Sequence, residues 1–328
     1  MAERIVPVAE PDFVDITLEE FLEQNPGYQG YPDKAKRPIS AYTVSGSVEW
    51  RQIGGKYYLY YTDTNTKVVN DWYYENRKWY FLKPSTGEMA VGWCQVGSYW
   101  YYFNGGGAMQ KKWYQVGSYW YYFREISING KPEGSMVIGT EHCLSTNVST
   151  QTRPFYFDYN GVWRKFDQYV LPTDARLITN GFGGSHHGLD LKRTSGSSEA
   201  LPIYAGTTGT VVKKVTSSSD SSFDSTGYAV ILETNIPSTI PGNYLTARYF
   251  HMKYAPTVSG TVNASTKIGD TGTTGNSTGV HLHIDISPIA WGHGSVTVNN
   301  ALDPIAFLHP QNSSGTELDF SPSVYRTR

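Results

Sequence analysis

The stretch TGVHLHIDIS (residues 278–287) places His281 and His283 two positions apart in a run that otherwise reads as a β-strand. Side chains alternate across a strand, so both imidazoles point to the same side. Two readings follow. One is a hydrogen-bonded pair in a polar pocket, the ordinary state of a buried histidine. The other is a metal ligand beside a catalytic base.

Seven of the eight histidines lie after residue 180, so the segments upstream of this strand matter. GFGGSHHGLDL (181–191) contains His186, His187 and Asp190. If that segment is extended, His186, Gly188 and Asp190 share one face and His187 points away. An imidazole and a carboxylate four residues apart on one side make a two-ligand clip. A third ligand from the HLH strand would give two nitrogens and one oxygen. The fourth tetrahedral position is then left for water, the pattern of a catalytic zinc site. Between the two segments, IYAGTTGTVVKKV, GYAVILE and TARYFHM read as short β runs separated by Gly, Ser and Thr turns, with no helical period. The C-terminal third is therefore expected to be all-β.

HHGLD, then ARYFHM, then IGDTGTTGNSTGVHLHIDI, in that order, closely resembles the lysostaphin-like zinc endopeptidases, which cut peptide bonds in peptidoglycan. The resemblance runs from about Ile178 to Leu308, closing on ALDPIAFL. Carried over residue by residue, it implies that His186, Asp190 and His283 bind Zn2+, while His251 and His281 line the site as base and oxyanion helpers. His187 is not a ligand in this reading. The polar stretch TSSSDSSFDSTG (216–227) lies where the resemblance puts the substrate path.

A different signal fills the first half of the chain. CQVGSYWYYF (94–103) recurs as YQVGSYWYYF (114–123), a period of 20 residues. Trp50, Trp72, Trp93 and Trp113 each open a unit, and Tyr57, Trp79, Trp100 and Trp120 follow seven residues later. Each unit reads as two short aromatic strands joined by a turn containing Gly, Asn or Asp, hence one hairpin per repeat. A lone hairpin buries no face of its own, so the units are expected to stack into a solenoid. The pattern resembles the choline-binding or glucan-binding repeats of Gram-positive cell-wall proteins. The resemblance implies aromatic cages for a quaternary ammonium, to which a ring face is attracted. The aromatics assigned to choline or sugar are Trp72, Trp79, Trp93, Trp100, Trp113, Trp120, Tyr102 and Tyr122. Only Gly92-Trp93 keeps the usual Gly-Trp pair.

The chain of 328 residues has a formal net charge of −2, so no global basic field points to nucleic acid. No run of 18 apolar residues and no signal-like apolar core occurs, and no membrane span is expected. Cys94 and Cys143 fit neither a CxxC motif nor a disulfide framework. Thr17-Leu18-Glu19-Glu20 reads as a capping box on a short helix ended by Asn25-Pro26-Gly27.

The expected architecture is all-β: an N-terminal arm (1–46), a solenoid of β-hairpin repeats (47–125), a β-rich connector (126–172), an antiparallel β-sheet peptidase domain (173–310) and a polar tail (311–328). The expected function is a zinc endopeptidase of bacterial peptidoglycan, held on choline-substituted teichoic acid or wall polysaccharide by the repeats. Synthesis in a host cytoplasm without a signal peptide points to a phage lysin acting at the cell wall. It would be either an endolysin or a virion tail component whose N-terminal arm docks on tail proteins. The rival readings are a catalytically silent wall-binding protein and a carbohydrate-binding adhesin.

Overall fold

The structure is a computed structural model; it describes residues 44, 46–144, 152–166, 177–192, 198–293, 296–297 and 300–308. The expected N-terminal helix and the C-terminal tail lie outside the described residues. The chain divides into two compact units, Met1–Val137 with Cys143–Thr152, and Ile138–His142 with Arg153–Arg328. Nearly all regular structure is β, as the sequence patterns require.

The first unit is built of four antiparallel hairpins: β1 (Val48–Ile53) with β2 (Lys56–Tyr61), β3 (Asp71–Glu75) with β4 (Lys78–Leu82), β5 (Gly92–Val96) with β6 (Tyr99–Phe103), and β7 (Lys112–Val116) with β8 (Tyr119–Phe123). All four close with two-residue loops. Gly54-Gly55 and Asn76-Arg77 hold positive φ at both positions, whereas the later loops do so only at Gly97 and Gly117. These are the two mirror-image turn classes whose twist matches that of paired strands.

Successive hairpins are joined through methionines. The backbone N–H of Met89 donates to Tyr57 O, that of Met109 to Trp79 O and that of Met136 to Trp100 O, each at 2.8 Å. A Cβ on Gly107 would sit 2.3 Å from Met89 Sδ, and one on Gly134 would sit 2.3 Å from Met109 Sδ. Glycine is required where these side chains cross the backbone, and its φ is positive at both places. Aromatic rings fill the layers between. Trp72 packs edge-on to Trp79 at 6.3 Å and reaches Tyr101 of the next hairpin at 5.1 Å.

In the second unit, β9 (Gly139–Leu144), β10 (Thr152–Phe157) and β11 (Trp163–Arg164) form a three-stranded sheet in the order β11-β10-β9. The main sheet has seven strands. They are β12 (Leu177–Asn180), β13 (Leu189–Lys192), β15 (Gly209–Val215), β16 (Tyr228–Pro237), β17 (Tyr244–Met252), β18 (Gly260–Val262) and β20 (Leu282–Ser287). Their order is β12-β13-β20-β17-β16-β15-β18, with antiparallel neighbours throughout. A two-stranded ribbon of β14 (Pro202–Tyr204) and β19 (Lys267–Asp270) covers one face. Leu189, Leu191, Leu232, Leu245, Tyr249, Leu282, Ile284 and Ile286 are buried in one cluster with Ile203, Ile268 and Phe307. Each fully buried aliphatic side chain of this kind contributes roughly 1.5–3 kcal/mol. Residues out of step with them on β13, β17 and β20 point to the opposite face, and the candidate site lies there.

Candidate metal and peptidase site

Three segments far apart in sequence meet on the second face of the sheet. Strand register sets Asp190 of β13 opposite His283 of β20, and Phe250 of β17 opposite His283 from the other side. His186 enters from a tight turn in which Gly183 and His186 exchange backbone hydrogen bonds of 2.9 Å. Gly188 lets this segment lie against β20: a Cβ there would fall 2.7 Å from the His283 ring and 2.6 Å from Ile284 O.

Asp190 Oδ1 lies 2.9 Å from His283 Nδ1 and 3.3 Å from His186 Nε2, and the two imidazole nitrogens are 3.2 Å apart. These three residues form one of two groups able to hold a metal ion among the described residues. The His186 ring directs Nδ1 to Gly181 O at 2.9 Å. With the proton on Nδ1, Nε2 presents its lone pair to the other two donors. His283 turns Nε2 toward Asp285 Oδ2 at 3.3 Å, which frees Nδ1 in the same way. A carboxylate behind a ligating imidazole fixes ring orientation and tautomer.

Burial by itself opposes charge on Asp190, His283 and Asp285, yet pairing prevails. Hydrogen bonds from His186 and His283 hold the Asp190 carboxyl far below the usual carboxylate range. Hydrogen bonds to Asp190 and Asp285 push His283 up to about 9 in the absence of metal. Asp285, fully buried, is also held below its ordinary value by His283 and Arg248.

His251 and His281 stand beside this triangle, with ring centroids 4.8 Å apart. His251 has φ of +59°, rare for a residue with a side chain, at an irregularity in the β16–β17 register. The strained backbone sits at a candidate functional position, as such outliers often do. The His251 Nδ1 hydrogen-bonds Thr274 O at 2.8 Å, and burial lowers its pKa to about 4. The His281 Nδ1 hydrogen-bonds Gly279 O at 2.7 Å, and its Nε2 is 3.5 Å from Asp190 Oδ1. Both rings thus keep Nε2 for water or substrate.

One expectation is corrected. His187 does not point away: its Nε2 is 3.6 Å from Asp285 Oδ2 and it lines the same cleft. The backbone turns at Gly184-Ser185 and becomes a strand only at Leu189, so strand alternation does not reach back to His187. The cleft has a volume of about 690 Å³. Ser221, Ser222, Ser225 and Thr226 of the polar stretch form one wall, partly as a short helix α1 (Phe223–Thr226). Lys213 Nζ ties that wall down through Asp220 Oδ2 at 2.5 Å. Asp285, Arg248 and Trp291 went unread in the sequence. Asp285 sits two residues beyond His283, and strand alternation alone would have put it on the site face.

Residues 184–299 match the model of Peptidase family M23. This stretch is an M23 peptidase domain. No curated protein matches the chain. Among solved structures, the chain is similar to choline binding protein F from Streptococcus pneumoniae, at 29% identity over 38% of this chain and 38% of that one, with a TM-score of 0.29. It is also similar to the multimodular pneumococcal cell wall endolysin from phage Cp-1 complexed with choline, at 33% identity over 35% and 30% of the two chains, with a TM-score of 0.23. Lysostaphin from Staphylococcus simulans is 22% identical over 48% of this chain and 61% of its own, with a TM-score of 0.33. The chain spans less than half the length of the choline-binding proteins it resembles.

The aromatics assigned to the wall ligand divide by exposure. Trp72, Trp79, Trp113 and Tyr122 are 7%, 7%, 3% and 4% exposed, their faces covered by neighbouring rings. Trp93, Trp120 and Tyr102 are half-buried, and Trp100 is 41% exposed. Cys94 and Cys143 are free thiols. No helix among the described residues is long and apolar enough to cross a membrane.

Proposed function

We propose that the M23 domain is a zinc endopeptidase of bacterial peptidoglycan, directed to the wall by the aromatic hairpins. The observation that carries this reading is the triangle of His186, Asp190 and His283 with His251 and His281 beside it. Two neutral imidazoles and one carboxylate are the donor set of a catalytic zinc site with an open position. Ligand atoms about 2.0–2.1 Å from a tetrahedral ion stand roughly 3.3 Å from one another, close to the spacing of this triangle. Zinc bound there supplies Lewis-acid polarisation of the scissile carbonyl and acidifies water.

The remaining work falls to this chain's side chains. His251, neutral far below pH 7, accepts the attacking water's proton at Nε2 and returns a proton to the leaving amine. His281, with Nδ1–H given to Gly279 O, can donate from Nε2 to the developing oxyanion once its ring carries a second proton. Asp285 holds the His283 ring in place from behind.

In the hairpins, the half-buried Trp93, Trp120 and Tyr102 and the exposed Trp100 are the aromatics assigned to choline or a wall sugar. Tethering the peptidase to its insoluble substrate raises its effective concentration there. Action from a phage virion, docked through residues 1–46, completes the proposal; recovery of the protein from washed virions tests that part.

The central test is mass spectrometry of fragments released from purified Gram-positive walls, before and after chelation. New amino termini that vanish on chelation and return with zinc are expected. Cleavage that survives in demonstrably metal-free protein overturns the zinc reading, and no cleavage in any wall favours a silent binding protein.

A further inference from the structure

Arg248 lies on β17, paired across to Asp285 of β20, two residues before Phe250. Its Nε donates to Asp285 Oδ1, and its guanidinium carbon is 5.4 Å from the Phe250 ring centroid. The residue is only 8% exposed and lines the cleft with His251 and His283. Its Nη2 is buried and has no hydrogen-bond partner. An unpaired buried donor is unfavourable, and more so when it carries charge.

The neighbouring acid cannot satisfy it. Asp285 gives Oδ1 to Arg248 Nε, while its Oδ2 faces His283 Nε2 at 3.3 Å and His187 Nε2 at 3.6 Å. One negative charge is shared by three donors, so the guanidinium is incompletely neutralised. No described residue supplies the missing acceptor, and the cleft is a way in for one from outside. A planar guanidinium matches a carboxylate better than a neutral carbonyl, because both partners are then charged.

We propose that Arg248 binds a carboxylate of the peptide substrate and makes the cleft selective for peptides with a free acid near the cleaved bond. This rests on the peptidase reading above. Phe250 pairs with His283 and Arg248 pairs with Asp285, so the subsite lies two strand residues from the His283 row, roughly 7 Å away. In an extended substrate that reaches an acid within about two residues of the scissile bond.

The test compares two peptides of one sequence, one carrying that acid and the other its carboxamide. Values of kcat/KM are measured with the full zinc-loaded chain, with Arg248→Lys, and with the double variant Arg248→Met/Asp285→Asn, which leaves no unpaired buried charge. Calorimetry with the two corresponding product peptides adds a readout that needs no turnover. The wild type should favour the acid roughly ten- to hundredfold. The preference should shrink in the lysine variant, which lacks the planar fork, and vanish in the double variant. Equal use and equal binding of acid and amide by the wild type overturn the subsite, as does a preference that survives in the double variant. If neither peptide is cut but the acid product still binds more tightly, the peptidase reading fails and the subsite stands.

Discussion

The hairpin repeats and the M23 sheet use β-structure in opposite ways. In the repeats, one period of about 20 residues sets both the packing and the placement of every aromatic ring. A ring there can be core, ligand contact or both: Trp79 and Trp100 stand at the same position of successive units with exposures of 7% and 41%. In the sheet, alternation parts the two duties. Leu189, Leu191, Leu282 and Ile284 build the core from one face, and Asp190, His281 and His283 furnish the site from the other. Functional residues of the sheet should therefore be removable with little loss of core packing, while in the repeats that should hold only for exposed rings such as Trp100.

The largest effect that would break this contrast belongs to the donor triangle. Asp190→Ala and His283→Ala are each expected to abolish wall cleavage and to leave the purified protein with little zinc, since two remaining ligands hold it poorly. The metal-free melt is best compared in the double variant Asp190→Asn/His283→Gln, which removes the pair together and should move the melting temperature little, whereas either single change leaves a buried charge uncompensated. Metal analysis, a wall-lysis assay and a thermal melt on the same preparations decide the matter. A melt that collapses with the activity would mean that the second face carries stability after all.

His281→Ala comes next. Its ring meets Asp190 only at 3.5 Å and is fixed by the Gly279 carbonyl. Near-stoichiometric zinc with turnover lowered ~10²–10⁴-fold is expected, the usual cost of losing a group that assists proton transfer or charge development. Loss of zinc from this variant would place His281 among the ligands.

The repeats supply the contrasting case. Trp72→Ala empties a site packed by Trp79, Phe81 and Tyr101 and should cost about 3–5 kcal/mol, the range for large aromatics in a core. Trp100→Ala should cost less than about 1 kcal/mol, as exposed substitutions usually do, yet weaken retention on a choline resin. Denaturant melts beside resin binding separate the two. Equal destabilisation by both would show that exposure does not sort ring duties in these hairpins.

What the sequence revealed follows the same division. Spacing alone offered the His186–Asp190 clip and a ligand from HLH; the resemblance of HHGLD, ARYFHM and HLH to the lysostaphin-like enzymes added His251 and completed the five residues that converge. Hairpins were legible because Gly and Asn mark the turns. The joints between hairpins were not, since Met89, Met109 and Met136 read as ordinary apolar residues until their backbone bonds to the preceding hairpin are seen. Arg248 was also hidden. Only the β17–β20 register brings it to Asp285, and register between strands 37 residues apart is not written in local pattern. His187 departs from strand alternation for a local reason, a turn at Gly184-Ser185 ahead of β13.

A smaller effect concerns protons. Without metal, His283 holds a proton up to about pH 9 because Asp190 and Asp285 flank it. Metal must displace that proton, so apparent zinc affinity should rise with pH, about tenfold per unit below 9 for this one proton. Competition against a chelator of known affinity from pH 6 to 9 measures the slope. A flat profile would mean that metal does not bind through His283.

The smallest expected change sits next to the largest. His187, His283 and Asp285 form a rival donor group, and His187 lies in the same cleft as the proposed triangle. Metal in that group would need Asp285, but Arg248 Nε already takes one of its oxygens and would compete with the ion for that carboxylate. His186, Asp190 and His283 carry no such prior claim. His187→Ala should thus keep its zinc and most of its activity, with a loss of no more than about tenfold, the low end for a residue that only supports a ligand shell. A metal-free His187→Ala protein, with His186→Ala still loaded, would move the centre by one position in HHGLD and transfer the role of Asp190 to Asp285.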